Sequence, residues 1–276
     1  MDAFAYCADL VRRADRDRYL AALLAPAPER EGLLALYAFN VEIARVREVV
    51  RQSLAGEIRL QWWADVLNGE RREEASANPV ASALIEAIER HGLAAGTLDE
   101  LIEARRFDLY DEPMATLGDV ETYAARTASA LIALSARILG CDADAVAGPA
   151  GIALGIAGLL QAFPRHATRH QLYVPAELLQ RHGAHQHDIF AERSSPGLDA
   201  ALNDLRNVAR EHLAAAREDL RALPPRALPA FLPVALVRPM LDRLGRSDAF
   251  APAELSPLRR QWLIWRASRN PARIAG

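Results

Sequence analysis

Apolar residues recur at helical spacing along most of this chain, and no stretch alternates as a half-buried strand would. Leu33, Leu34, Leu36, Tyr37, Val41, Ile43 and Val46 make one broad apolar face, with Glu42, Arg45 and Glu48 interleaved. The pattern returns from Pro79 to Arg90, where Gly92 is the expected stop. Thr97 and Glu100 read as a capping box opening a helix through Tyr110, ended by Pro113. A further helix is predicted from Leu117 to Leu139, stopping at Gly140, and another from Leu202 to Leu220, closed by Pro224-Pro225. Prolines at 229, 233, 239 and 252 break the last third, before a final helix carrying Trp262 and Trp265. There is no internal repeat and no low-complexity linker. With 51% hydrophobic and 25% charged residues, 276 residues can bury a large core. The expectation is one all-α domain over residues 1–276.

Residues 145–163 are nearly uncharged and about long enough to cross a bilayer. They include Gly151-x-x-x-Gly155, which permits close helix approach. Pro149 and the density of glycine and alanine favour a central helix buried among others, against which neighbours pack tightly or leave room for a ligand.

The formal net charge is −3, so nothing in the total points to nucleic acid. All 33 basic residues are arginine, which together with the alanine abundance fits high-GC bacterial codon usage. Cys7 and Cys141 are far apart and have no partner at metal-ligand spacing, so both are expected to be free and buried. The N-terminal stretch has neither an apolar signal core nor the acid-poor profile of a transit peptide, which places the protein in the cytoplasm. No nucleophile constellation and no glycine-rich phosphate loop is present. His182, His185, His187 and Asp188 are ligand-type residues, but their spacing matches no strong metal motif.

Several runs carry a resemblance. Arg18-Tyr19-Leu20, Leu23-Leu24-Ala25-Pro26 and Leu36-Tyr37-Ala38-Phe39 resemble the opening of the squalene/phytoene synthase family. So do Leu101-Ile102-Glu103-Ala104 with Asp108, Tyr123-Ala124 with Gly140, and Gln171 through Leu179 with Gly183. The resemblance implies an isoprenoid-synthase-type helical bundle around a central cavity. Active members join two prenyl diphosphates head to head, using two aspartate pairs that hold Mg²⁺ on the leaving diphosphate. A diphosphate leaves only if its growing charge is neutralised.

By the flanking residues, the first pair falls on Ala44 and Glu48 and the second on Ala162 and His166. One acid of four remains, with Arg45, Arg47 and Arg165 beside them. Loss of a Lewis-acid metal costs several kcal/mol of transition-state stabilisation, and each ~1.4 kcal/mol is tenfold in rate. Ala38 to Glu42, Gly56 to Trp63, the Pro164-Arg165-His166 run and Ala227 to Pro233 look like the branch containing the mitochondrial complex I assembly factor. That branch also lacks the aspartate pairs, is non-catalytic, and implies a role in respiratory complex assembly at the inner membrane.

The expectation is therefore a catalytically degenerate relative without a cofactor, cytoplasmic and peripheral at the inner membrane. It would bind a prenyl diphosphate or anionic lipid, and a respiratory-complex assembly partner. Candidate ligand-binding positions are Ala44, Arg45, Arg47, Glu48, Ala162, Arg165, His166, Arg169 and Tyr173. Arginines there would grip an anionic head group directly, although a row such as Glu42, Arg45 and Glu48 also forms ordinary intrahelical pairs. The alternative is an active head-to-head transferase with an atypical site, recruiting Mg²⁺ through acids such as Asp108 or Asp111. In the last helix, Trp262 and Trp265 among Arg259, Arg260, Arg266 and Arg269 are expected to pack into the core; attachment to anionic lipid is the rival reading.

Overall fold

The computed structural model describes residues 2–50 and 52–275. Every regular element among them is helical. Nearly all the buried apolar side chains, from Cys7 to Ala275, form one contiguous cluster. Cys7 and Cys141 are free and buried within it. Burial, with Asp2 nearby, pushes the Cys7 thiol up to about 12, so it behaves as a small hydrophobe.

Local chemistry sets most boundaries. Asn78 caps the Pro79–His91 helix by accepting from the Val80 and Ala81 amides at 2.9 and 3.1 Å, and Gly92 ends it at φ 62°. The Leu117–Ala124 helix opens on a capping box of Thr116 and Asp119 that the sequence reading passed over. The one expected at Thr97 does not form. That helix begins at Ala95, two residues earlier, which puts Thr97 in its first turn, and it ends at Arg106 before a 3₁₀ turn over Phe107–Leu109.

Two helices frame the centre. Ala27–Ala44 buries eleven residues, including Tyr37 and Phe39. It breaks at Arg45, and a short Val46–Val49 helix carries Arg47 and Glu48 onward. Asp144–Thr168 runs 25 residues through the middle, contacting Pro196–Ala215 and the helix that follows Thr116. It is the one helix among the described residues long and apolar enough to cross a membrane. Here it is a central element of the bundle. A Cβ added at Gly151 would lie 2.3 Å from Ser129 Cα, and one at Gly155 would lie 2.8 Å from Ala124 Cβ. The paired glycines thus let two backbones meet. The neighbour widens into a π-turn at Ala125–Ser129, and Ser129 Oγ donates to the Gly148 carbonyl at 2.7 Å.

Candidate functional site: an arginine-rich cavity

The break at Arg45 and the C-terminal end of Asp144–Thr168 face each other across a cavity of about 340 Å³. Its wall divides by chemistry along the long helix. Leu154, Gly155, Gly158 and Leu159 line it first; Gln161, Ala162, Arg165, His166 and Arg169 follow. A rise of about 1.5 Å per residue puts Leu154 some 16 Å from Arg165 along the axis. Leu131, Leu236 and Met240 add to the apolar wall. The cavity therefore has an apolar stretch and a charged stretch.

The charged stretch is organised by pairing. Asp15 takes Arg18 at 2.5 Å, Asp17 takes Arg260, Glu48 takes Arg169 at 2.8 Å, and Asp108 takes Arg105 at 3.2 Å. These are the four acids of the wall, and six arginines line it, so Arg47 and Arg165 have no partner among the wall acids. Arg47 turns one nitrogen to Asp111 at 2.7 Å and another to the Leu109 carbonyl. Arg165 has no ion pair among the described residues. Part of the positive charge here offsets the negative end of the helix macrodipole.

Burial opposes ionisation of Glu48, but the Arg169 hydrogen bond and the Arg165 field hold its carboxyl below the ordinary range. Burial between Arg165 and Arg169 pushes His166 down to about 4, so its ring is neutral near pH 7. The ring packs 4.5 Å from that of Tyr173.

Deeper in, Asp108 organises a buried network. Its carboxylate accepts from Tyr173 Oη at 2.6 Å and Tyr123 Oη at 2.8 Å. Gln171 Nε2 donates to its backbone carbonyl at 3.0 Å. Burial pushes the pKa of both phenols up, so they stay protonated and donate. Arg105 Nε, in the same cluster, is buried without a hydrogen-bond partner among the described residues.

Eight of the nine candidate positions line the cavity: Ala44, Arg47, Glu48, Ala162, Arg165, His166, Arg169 and Tyr173. Arg45 does not. It is the kink residue, half exposed, and turns back to Glu48 at 3.4 Å. Glu42 leaves the same row for Arg59, at 3.6 Å, on the next helix. His170 lies outside the wall, stacked on Phe190 at 4.7 Å. His182 pairs with Asp204 at 2.8 Å. Trp63 is buried and Trp62 donates to Glu74 at 2.7 Å. Trp262 and Trp265 do not pack into the core; both are exposed, because their helix buries Ile264 and Ala267 instead.

The sequence reading missed Asp15, Asp17, Arg18, Arg105, Tyr123 and Arg260 as wall residues. Arg105 with Asp108 and Asp15 with Arg18, each three apart, were the pairing signals in the sequence.

A magnesium ion at the four positions needs several oxygen donors. Ala44 and Ala162 offer none, the His166 ring is shared with an aromatic neighbour, and Glu48 is taken by arginines. Asp108 and Asp111 are engaged by tyrosines and arginines. This donor set does not fit a divalent cation.

An all-helical bundle closed around one amphipathic cavity is the isoprenoid-synthase type of fold. A dehydrosqualene synthase in complex with ligand superposes with TM-score 0.83 at 17% identity, covering 97% of this chain and 95% of that one. Squalene synthase HpnC from Alicyclobacillus acidocaldarius gives 0.76 at 23% identity, covering 88% and 93%. The squalene/phytoene synthase family model matches residues 11–266, and the chain belongs to that family. Within it, NADH dehydrogenase (ubiquinone) complex I, assembly factor 6, of Homo sapiens is 32% identical over 246 residues, covering 88% of this chain and 74% of that protein. The 15-cis-phytoene synthase of Synechococcus elongatus is 24% identical over 270 residues, covering 90% and 85%. The chain thus sits with the assembly-factor branch.

Proposed function

We propose that this chain holds a prenyl diphosphate, or an anionic lipid built on the same plan, without turning it over, and that it serves respiratory complex assembly. The observation that carries the binding half is the charge balance of the cavity: four wall acids, each matched to an arginine, Arg47 paired with Asp111 outside the wall, and Arg165 left without an ion pair among the described residues. An anionic head group meets guanidinium forks without a metal between them. The apolar stretch around Leu154 and Leu159 accepts the tail. The assembly half rests on the eukaryotic relatives, whose name describes that role for them.

On this reading the protein is a degenerate synthase. Its partners are an anionic amphiphile and a component of the respiratory assembly machinery, and it requires no cofactor. Incubation with farnesyl and geranylgeranyl diphosphates plus Mg²⁺ is expected to leave both substrates intact by chromatography. Any condensed C30 or C40 product above a no-protein background would establish the transferase alternative instead. Calorimetric titration with farnesyl diphosphate is expected to show Arg165→Ala binding about tenfold to a hundredfold more weakly, the worth of one charge-assisted hydrogen bond. Unchanged affinity would remove Arg165 from the site.

A further inference from the structure

The last helix, Pro257–Arg269, has a face that no described residue covers. Leu258, Trp262 and Trp265 are 78%, 51% and 56% exposed. Their spacing of four and three residues puts them on one stripe. The opposite face is tied down: Ile264 and Ala267 are buried, and Arg260 pairs with Asp17. No acid occurs after Glu254. Arg259, Arg269 and Arg273 are exposed around the stripe, and Arg266 lies over the Trp262 ring at 4.9 Å. Large apolar side chains whose charged neighbours along the helix are all arginine match the layered chemistry of an anionic lipid surface, which offers acyl chains below and phosphates above. Indole rings suit that boundary because they are apolar with one polar edge.

The same helix begins at a second cavity. A groove of about 560 Å³ lies between residues 14–20 and 252–257, and it shares seven lining residues with the central cavity, among them Asp15, Asp17, Gln161, Arg165 and Arg260. The two spaces therefore adjoin at Arg165 and the Asp17–Arg260 pair.

We propose that Pro257–Arg269 seats the protein on an anionic bilayer through Leu258, Trp262 and Trp265, and that the adjoining groove admits an amphiphile from that bilayer to the central cavity. The admission half rests on the binding function proposed above; the seating half does not. A protein partner covering this face would need no phospholipid, and the test below separates the two.

The test is flotation of the full chain with vesicles of phosphatidylcholine alone, and of phosphatidylcholine with phosphatidylglycerol. The native chain is expected to float with the anionic vesicles. The Leu258→Ser/Trp262→Ser/Trp265→Ser variant is expected to lose about tenfold or more of that binding. Equal flotation of native and variant chains, or no flotation of the native chain on any vesicle, overturns the proposal. Quenching of the native tryptophan fluorescence by spin-labelled phospholipid checks insertion without relying on the variant; absence of quenching also overturns it. For admission, transfer of vesicle-borne geranylgeranyl diphosphate to the protein is expected to slow in the variant, while binding of water-soluble geranyl diphosphate stays unchanged. Equal transfer rates overturn admission. Failure of geranyl diphosphate to bind either chain sinks the cavity reading alone, because flotation still decides seating.

Discussion

His166 stands between Arg165 and Arg169 at the end of the central helix, and burial there keeps its ring neutral. The consequence for stability has a definite sign. Above pH ~6.5 the ring is neutral in both folded and unfolded chains. As pH falls from there towards about 4, the unfolded chain takes up a proton that the folded chain refuses, so stability is lost across that window. Glu48, held below the ordinary carboxylate range by its arginines, loses its contribution only at lower pH. Thermal melts at pH 7.5 and 5 are therefore expected to differ more for the native chain than for His166→Gln; equal differences would contradict the assignment. The Asp108 network makes a second prediction at this scale. Tyr173→Phe removes a 2.6 Å donor from a buried carboxylate and is expected to cost about 1–3 kcal/mol, read from the denaturant midpoint. A loss below about 0.5 kcal/mol would show that the network does not hold the carboxylate.

Among the elements, the glycines of the central helix divide into two kinds. Gly151 meets the Ser129 backbone, whereas a Cβ at Gly148 would meet nothing within 4 Å. Gly151→Ala is thus expected to destabilise by about 1–3 kcal/mol through overpacking. Gly148→Ala is expected to be neutral or stabilising by about 0.5–1 kcal/mol from helix propensity. Similar denaturation midpoints for the two variants would contradict the packing account. The same helix shows what its sequence disclosed. Its length and its small residues read directly as a buried central element, because composition records burial. Arg45 was not legible, since apolar periodicity continues across a kink that shifts a single residue off the cavity face. Thr97 misled for a related reason: its motif is local, but Ala95 and Gly96 extend the helix past it.

At the scale of the whole molecule, the wall of the cavity draws on segments from Asp15 to Arg260, and no local pattern announces such a set. The resemblance paired Ala44 and Glu48 with Ala162 and His166 through their flanking residues, and all four line the cavity. It carried no information about Asp17 and Arg260, 243 positions apart, whose pairing exists only in three dimensions. The charge balance was likewise invisible in a chain of net charge −3, since the cavity concentrates arginines that the total averages away. Electrostatics of this kind predicts a protein that recruits an anion but not a divalent cation.

The most direct test is calorimetric titration with farnesyl diphosphate in millimolar Mg²⁺ and again in excess EDTA. Guanidinium recognition predicts the same or higher affinity once the metal is removed, because Mg²⁺ competes with the arginines for the diphosphate. Binding that appears only with Mg²⁺, or tightens about tenfold or more in its presence, would contradict the account.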